Sequence, residues 1–331
     1  MTGPAAPAEW PWPIGVCAAA FGDVELDPAL EAIRQLGLHH IDLPTDSTLR
    51  LLPGIETLEQ PGYPAALAAT LRRHAVTVGC VSNSRDTQLL LGPHGPHTDP
   101  VAAGSPQQKR SHALRYAHAT IDLAAALGVP LVRLYFGCPD YGRWLTWGSA
   151  PVSWQDNIRA FAETAVPLLE RCRAAGLTLC VEPHPKQALF DRRSTDAALR
   201  LLAGYSDVLG VCLDPANIAT LGYDPLDLMR GWPRPPVALH VKDLETSQAA
   251  SWPAGRGWVS YGPQRPIRFR ALGRGQLPWP SMIDTLLGEG FTGIAYVEHE
   301  DVLLPRAQGI ASAAERLRAL LPAAPPEGRT W

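Results

Sequence analysis

Four acidic or imidazole side chains stand at the ends of short apolar segments in the second half of the chain. They are Glu182, Asp214, His240 and Glu298. Brought together, three carboxylates would repel one another strongly unless a cation offset their charge. A divalent metal is such a cation. Three carboxylates and one imidazole favour Mn²⁺, Mg²⁺ or Co²⁺ over a thiolate-type zinc site, with Zn²⁺ as a further option.

The segments that carry these residues have the alternation of β-strands, in which successive side chains point to opposite faces. In the first three segments one parity is large and aliphatic, as in Leu209, Val211 and Leu213, whereas the other is mostly small, as in Gly210 and Cys212. Small residues suit a crowded barrel interior. The acidic and imidazole side chains of these three segments fall on the small, inward parity, and the last segment is less regular. We therefore expect all four to meet at one mouth of a barrel.

The whole chain alternates short apolar runs with longer helical stretches. The predicted strands lie near 12–18, 38–43, 76–82, 130–136, 177–182, 208–214, 237–242 and 292–298. The predicted helices occupy 27–36, 62–74, 106–127, 153–175, 194–204, 224–230, 279–288 and 306–321. Eight successive β and α runs predict an α/β fold, a single (β/α)8 TIM barrel. An open doubly wound sheet is disfavoured because the sequence lacks the glycine-rich phosphate loops of such folds.

Two connections after strands are unusually long, 137–152 after the fourth strand and 244–279 after the seventh. In a barrel both would lie on the carboxyl-end face, where long loops are usually functional. Their tryptophans, Trp144 and Trp252 among them, offer flat apolar surfaces for the C–H face of a sugar. We expect a barrel domain over 10–321, with flexible termini at 1–9 and 322–331.

The composition excludes several classes of protein. The chain has 331 residues, 46% hydrophobic and 18% charged, with a net charge of −3. This composition is typical of a soluble globular protein, and the charge argues against a nucleic-acid binder. No apolar run is long enough to span a membrane, and the first residues do not resemble a signal peptide. The six cysteines lack metal-type spacing, so we expect reduced, buried thiols in a cytoplasmic protein.

Five motifs in the second half resemble those of the sugar phosphate isomerase/epimerase family, within the xylose isomerase-like TIM barrel superfamily. They are Val181-Glu182-Pro183-His184-Pro185, Leu213-Asp214-Pro215-Ala216-Asn217, His240-Val241-Lys242-Asp243, Leu272-Gly273-Arg274-Gly275 and Val297-Glu298-His299-Glu300-Asp301. The resemblance is strong over about 177–320, and earlier it rests mainly on the βα rhythm.

The resemblance implies that Glu182, Asp214, His240 and Glu298 bind one divalent metal, and we favour Mn²⁺. It also implies that the two glutamates act as acid and base on opposite faces of the substrate. The substrate contacts it implies are His184, Asn217, Lys242 and Arg270. Asn217 departs from family members that have histidine at this position. Many members form dimers or tetramers, so a homo-oligomer is expected.

The implied chemistry is physically consistent. Removal of a proton next to a carbonyl creates an enediolate, whose charge a metal stabilises as a Lewis acid. One glutamate takes the proton and the other returns one. Return to the same carbon is epimerisation, return to the neighbouring carbon is isomerisation, and loss of a β-leaving group is dehydration or lyase chemistry. We therefore expect a small sugar or sugar derivative as substrate.

Other functions use the same fold. The first alternative is a dehydratase or lyase acting on an inosose or oxidised (3-keto) glycoside. A remote one is an enzyme resembling the AP endonucleases of DNA repair, which would need a multinuclear zinc cluster with more histidines and a basic groove. A non-catalytic barrel is disfavoured by the complete set of four candidate ligands. Asp42 and Asp46, after the second strand, are further candidates for contacts at the rim of the site.

Overall fold

The computed structural model describes residues 12–141, 153–246 and 267–324, over which strands and helices alternate. The parallel strands are β1 (Ile14–Cys17), β2 (His40–Pro44), β3 (Thr77–Asn83), β4 (Leu131–Leu134), β5 (Thr178–Val181), β6 (Leu209–Leu213), β7 (Ala238–Val241) and β10 (Ile294–Val297). They form a closed barrel in the order β1-β10-β7-β6-β5-β4-β3-β2. Each strand overlaps its predicted segment, and the expected (β/α)8 TIM barrel is confirmed.

Helices connect the barrel strands. They are α1 (Leu26–Gln35), α2 (Ile55–Leu58), α3 (Tyr63–Arg73), α4 (Pro106–Leu127), α5 (Trp154–Ala175), α6 (Arg192–Leu201), α7 (Pro215–Ala219), α8 (Pro225–Met229), α9 (Trp279–Gly288) and α10 (Arg306–Leu320). Within the described ranges, no helix combines the length and apolar character needed to cross a bilayer.

Local sequence signals explain where the longest helices begin and end. The Ser105 side chain accepts a hydrogen bond from the backbone of Gln108, whose side chain accepts one from the Ser105 backbone. This reciprocal capping satisfies two backbone donors at the start of α4. The helix ends at Gly128, which has a φ of 69°, and α5 ends likewise at Gly176. Glycine adopts this left-handed conformation without the steric cost of a Cβ atom.

The chain divides into two compact units, one comprising Cys17–Cys212 and the other Met1–Val16 with Leu213–Trp331. In the first unit, parallel pairing runs from β2 to β6. In the second, β10 pairs with both β1 and β7. Strands β6 and β7 are buried at every position, as expected where both faces of a parallel sheet are covered. A polar side chain on such a strand requires a polar or ionic partner.

The connection after β7 contains structure that the sequence analysis treated only as a loop. Strand β8 (Asp243–Thr246) pairs antiparallel with β9 (Ile267–Arg270). The alternation of apolar and basic residues in β9 is a strand pattern, but its partner β8 carries a polar residue at three of its four positions. Only one residue, Lys242, separates β8 from β7, so the sequence shows no break between the two strands.

All six cysteines lie within the described ranges and are buried, and no disulfide joins them. This agrees with the thiols expected from their spacing. The large hydrophobic side chains of the core include Phe136, Phe161 and Ile121, which are almost completely excluded from solvent.

Candidate active site

Asp214, His240 and Glu298 come together in the unit formed by Met1–Val16 and Leu213–Trp331. One ligand atom from each residue lies within 4.8 Å of the other two. The His240 Nδ1 atom is 3.9 Å from Asp214 Oδ2 and 3.5 Å from Glu298 Oε2. Three of the four residues predicted as metal ligands therefore form one cluster in this unit.

The ends of neighbouring strands explain this convergence. In the parallel pairing of β10 with β7, Tyr296 is opposite His240, so Glu298 stands two residues beyond that pair. The backbone N–H of Glu298 donates to the Val241 carbonyl and continues the pairing past the last strand residue. Asp214 directly follows β6 and caps α7, where its Oδ1 atom accepts a hydrogen bond from the Asn217 backbone. Strand ends and a helix cap thus fix the three side chains.

Lys242 places an ammonium group among the same carboxylates. Its Nζ atom lies 3.1 Å from Asp214 Oδ2, 2.9 Å from Glu298 Oε2 and 2.6 Å from Glu300 Oε2. The ammonium also lies 4.2 Å from the centre of the Phe269 ring, within cation–π distance. Lys242 was predicted to contact substrate, and here it is an ionic partner of two predicted metal ligands.

The charges of this cluster shift the acidities of its members. Burial opposes the charge of Lys242, but Asp214, Glu298 and Glu300 outweigh it and hold the lysine pKa well above its usual value. Burial alone would raise the pKa of Glu298, but Lys242 and His240 hold it well below its usual range. Both side chains are therefore charged at neutral pH.

Glu182 belongs to the other unit, Cys17–Cys212, and is fully buried there. Its Oε2 atom accepts a hydrogen bond from Arg133 Nη1 at 3.0 Å, and its Oε1 atom accepts one from the Tyr135 hydroxyl at 2.9 Å. Arg133 also donates to Asp42 Oδ2 from Nε and Nη2, at 3.2 and 3.0 Å. Glu182 thus lies in a buried cluster with Arg133, Tyr135 and Asp42, the last of which is one of the two predicted rim aspartates.

Arg133 and Tyr135 were missed by the sequence analysis. A usable signal exists, because Arg133 is a lone charge inside the apolar run of β4. A buried guanidinium needs acidic partners, and the strand order places Asp42 on β2 and Glu182 after β5 as candidates. Burial opposes the charge of Arg133, but Asp42 and Glu182 outweigh it and hold its pKa well above the usual value.

The second rim aspartate, Asp46, is buried and is held by backbone donors. Its Oδ1 atom accepts hydrogen bonds from the backbone N–H groups of Ser84 and Arg85. Burial is the largest influence and raises the pKa of Asp46 to about 6, and the nearby Asp86 adds to the rise against the two backbone hydrogen bonds. Asp46 therefore gains a proton in mildly acidic solution.

The other predicted substrate contacts have protein partners in this structure. The His184 Nδ1 atom accepts a hydrogen bond from the Lys186 backbone at 3.0 Å, which leaves the ring proton on Nε2. The Asn217 side chain donates to Asp214 Oδ2 at 2.9 Å, and so orients a predicted metal ligand. Arg270 forms ion pairs with Asp301 and Glu245.

Two candidates fall elsewhere in the chain. Trp144 and Trp252 lie outside the residues that the structure describes, so their role as sugar-covering surfaces stays a prediction.

The donors present in the second unit fit a divalent cation. Two carboxylates and an imidazole are the oxygen and nitrogen ligands that Mg²⁺, Mn²⁺ and Zn²⁺ accept. Around Lys242, three carboxylates face one ammonium, so an excess of two negative charges remains at this point. A cation with two positive charges would offset that excess.

The family of the chain follows from comparison with known proteins. Residues 30–320 match the family model described as the xylose isomerase-like TIM barrel, and the protein belongs to this family. It is also similar to the uncharacterized protein YfiH of Bacillus subtilis strain 168, with 24% identity over 230 residues, 60% of this chain and 68% of the relative.

Solved structures share the fold at low sequence identity. The IolI protein, solved with a bound zinc atom, has a TM-score of 0.65 at 12% identity, over 93% of this chain and 97% of the other. The 3-keto-D-glucoside 4-epimerase YcjR of E. coli gives 0.65 at 12%, over 93% and 99%. The probable 3-DHS dehydratase AsbF of Bacillus anthracis gives 0.60 at 14%, over 92% and 98%. Proteins with this fold thus include a sugar epimerase and a probable dehydratase.

Proposed function

We propose that the protein is a divalent-metal-dependent isomerase or epimerase of sugars or keto-sugars. The observation that carries this proposal is the cluster of Asp214, His240 and Glu298, with ligand atoms within 4.8 Å of one another. We assign Glu182, which follows the strand paired with β6, as the fourth ligand. The family, and the epimerase and the zinc-containing protein that share the fold, support the proposal.

Each residue of the proposed site would have its own role in the reaction. A divalent cation held by the four side chains would polarise the substrate carbonyl as a Lewis acid, and we propose Mn²⁺ for this role. Either Glu182 or Glu298 takes a proton from the carbon next to the carbonyl, and the other glutamate delivers one from the opposite face. Delivery to the same carbon inverts its configuration, and delivery to the neighbouring carbon moves the carbonyl.

Lys242 supports this division of roles in the proposal. Its ammonium contacts Glu298 and Asp214, and so offsets part of the charge that would otherwise oppose two carboxylates at close range. Substrate contacts by His184, Asn217, Arg270, Trp144 and Trp252 remain predictions.

Deuterium exchange tests the proposal directly. The Mn²⁺-loaded protein is incubated in D₂O with a panel of ketoses, keto-glycosides and inososes, and the products are read by NMR. We expect deuterium at a carbon next to the carbonyl of at least one substrate, and no incorporation with Glu182→Gln or Glu298→Gln. Glu289→Gln is the matched control, because this glutamate accepts a bond from the exposed Gly231 backbone. Absence of exchange on every substrate would contradict the proposal.

The second candidate function is loss of a β-hydroxyl group, a dehydratase or lyase reaction. The fold shared with the probable dehydratase AsbF favours it. The same first proton transfer would precede both reactions, so the same incubation separates them. An isomeric product that differs in mass from the substrate only by incorporated deuterium supports the isomerase or epimerase, whereas a product that has lost one water supports the dehydratase.

A further inference from the structure

The carboxylate of Glu182 is held by two buried side chains, Arg133 and Tyr135, and Arg133 is held in turn by Asp42. We propose that Arg133 and Tyr135, backed by Asp42, are positioning residues that lock Glu182 into one geometry for metal binding and proton transfer. This inference rests on the proposed function, because it assigns roles within the same site. Arg133 and Tyr135 are residues that neither the sequence motifs nor the family resemblance singled out.

Both oxygens of the Glu182 carboxylate are held by other side chains. Its two carboxylate oxygens accept hydrogen bonds from two different side chains, Oε2 from Arg133 and Oε1 from Tyr135. A carboxylate has about four lone-pair positions. Because each oxygen accepts from a different side chain, rotation of the carboxylate would break both hydrogen bonds.

Arg133 is itself held by hydrogen bonds from all three of its guanidinium nitrogens. Its Nε and Nη2 atoms grip one oxygen of Asp42, and its Nη1 atom reaches both Glu182 and the Ser84 hydroxyl. The other oxygen of Asp42 accepts a hydrogen bond from the Ser82 hydroxyl. A planar guanidinium with all three nitrogens engaged cannot turn away from Glu182. Hydrogen bonds therefore connect Ser82 through Asp42 and Arg133 to Glu182, and they restrict the orientation of the Glu182 carboxylate.

The backbone of Glu182 is held as well as its side chain. The Gln187 side chain donates to the Glu182 carbonyl at 2.7 Å, and its amide oxygen accepts from the Phe136 backbone at 2.8 Å. Main chain and side chain of Glu182 are thus held separately. Ligands of metal sites depend on such outer partners, whose loss typically costs about 10- to 100-fold in metal affinity or activity.

The test compares two tyrosines of the same unit. Tyr135→Phe removes one hydrogen bond to Glu182 and changes no charge. Tyr116→Phe is the matched control, because Tyr116 is also buried but its hydroxyl bonds the backbone of Ile55. We expect Tyr135→Phe to lower kcat about tenfold with KM within about twofold, and to weaken Mn²⁺ binding by calorimetry about tenfold. Tyr116→Phe should leave all three values unchanged.

Arg133→Lys tests the rigid contact at constant charge. An ammonium group cannot reproduce the planar contacts to Asp42, Glu182 and Ser84 together. We expect a loss of kcat of about 100-fold, at the upper end of the range for such outer partners, in a protein that keeps its charge balance and its fold by circular dichroism.

A double variant shows whether the effect passes through Glu182. In a Glu182→Ala background, adding Tyr135→Phe should change Mn²⁺ affinity by less than about twofold, because the partner through which it acts is gone. A tenfold loss that persists in this background would overturn the inference. So would wild-type kcat and Mn²⁺ affinity in both Tyr135→Phe and Arg133→Lys. A wild-type protein without Mn²⁺ binding would overturn the proposed function as well, which separates the two failures.

Discussion

Glu182 and Glu298 each stand one residue past the end of a barrel strand, yet their surroundings differ. Glu182 is fully buried and held by the guanidinium of Arg133 and the Tyr135 hydroxyl. Glu298 is 22% exposed and is held by Lys242, which is shared with the 45% exposed Glu300. Strand ends set the position of both glutamates, but the cation beside each one sets how firmly it is held.

The two cations differ in what they permit. A guanidinium is planar and binds in a fixed fork, whereas an ammonium is a compact charge on a flexible stem. Glu182 therefore has one geometry, in a cluster that is closed to solvent. Lys242 also contacts Glu300, a partner that it would keep if another cation took its place beside Asp214 and Glu298. We infer that Glu182 is held rigidly, whereas the cluster of Asp214, His240 and Glu298 is adaptable.

The largest expected effect is on turnover. Glu182→Gln and Glu298→Gln each remove a proposed acid or base while they keep the size of the side chain. We expect each to lower kcat by about 10³-fold or more, in the upper part of the range for acid–base groups. Steady-state kinetics with the substrate found by exchange gives the value. Near wild-type activity in either variant would remove that glutamate from the mechanism.

Removal of Arg133 or Lys242 should lower the free energy of unfolding, but Mn²⁺ should offset the loss in only one of the two variants. Arg133→Met leaves buried Asp42 and Glu182 without their cation, and breaking such a pair costs about 3–5 kcal/mol of unfolding free energy. Lys242→Met should also destabilise the protein, but saturating Mn²⁺ should restore much of the loss, because a bound ligand adds stability.

Urea unfolding with and without Mn²⁺ checks this difference. Lys186→Met is a control for loss of a lysine outside both clusters. Equal rescue of Arg133→Met and Lys242→Met by Mn²⁺ would contradict the distinction between the rigid and the adaptable cluster.

Removal of a proposed metal ligand should have the next largest effect, which is on Mn²⁺ binding. His240→Ala or Asp214→Ala should weaken Mn²⁺ binding by more than about 100-fold, beyond the range for outer partners, because each removes a direct donor. Elemental analysis after dialysis measures the occupancy. His299→Ala is the control, because it removes an imidazole from the residue that directly follows Glu298. Full occupancy in His240→Ala would place the metal elsewhere.

The smallest effect concerns Asp46, a buried carboxyl held by backbone donors. The pKa of Asp46 is raised from 3.8 to about 6. Between these values the folded protein binds more protons than the unfolded chain, so Asp46 makes stability fall as pH rises through this window. Asp46→Asn should remove about 3 kcal/mol of that dependence. Urea unfolding at several pH values measures it, and an unchanged slope would contradict the assignment.

Much of this molecule follows from its sequence for identifiable reasons. The βα rhythm predicts the barrel because hydrophobic periodicity and caps such as Ser105 and Gly128 act locally. Asp214 and His240 can be found by strand parity, and Glu298 by its place at the end of the last strand, where the parity is less regular. The lone charge of Arg133 in the apolar run of β4 indicates that it needs acidic partners, but its hydrogen bonds to Asp42 and Glu182 depend on side-chain geometry that the sequence does not give. The position of Lys242 between two ligands likewise depends on strand register.

Anomalous diffraction from crystals of the Mn²⁺-loaded protein tests the central claim most directly. The account predicts one strong peak per chain at the manganese edge, bounded by Glu182, Asp214, His240 and Glu298, with Arg133 and Tyr135 still bonded to Glu182. A peak that lacks Asp214 and His240, or no peak at all, would contradict the account.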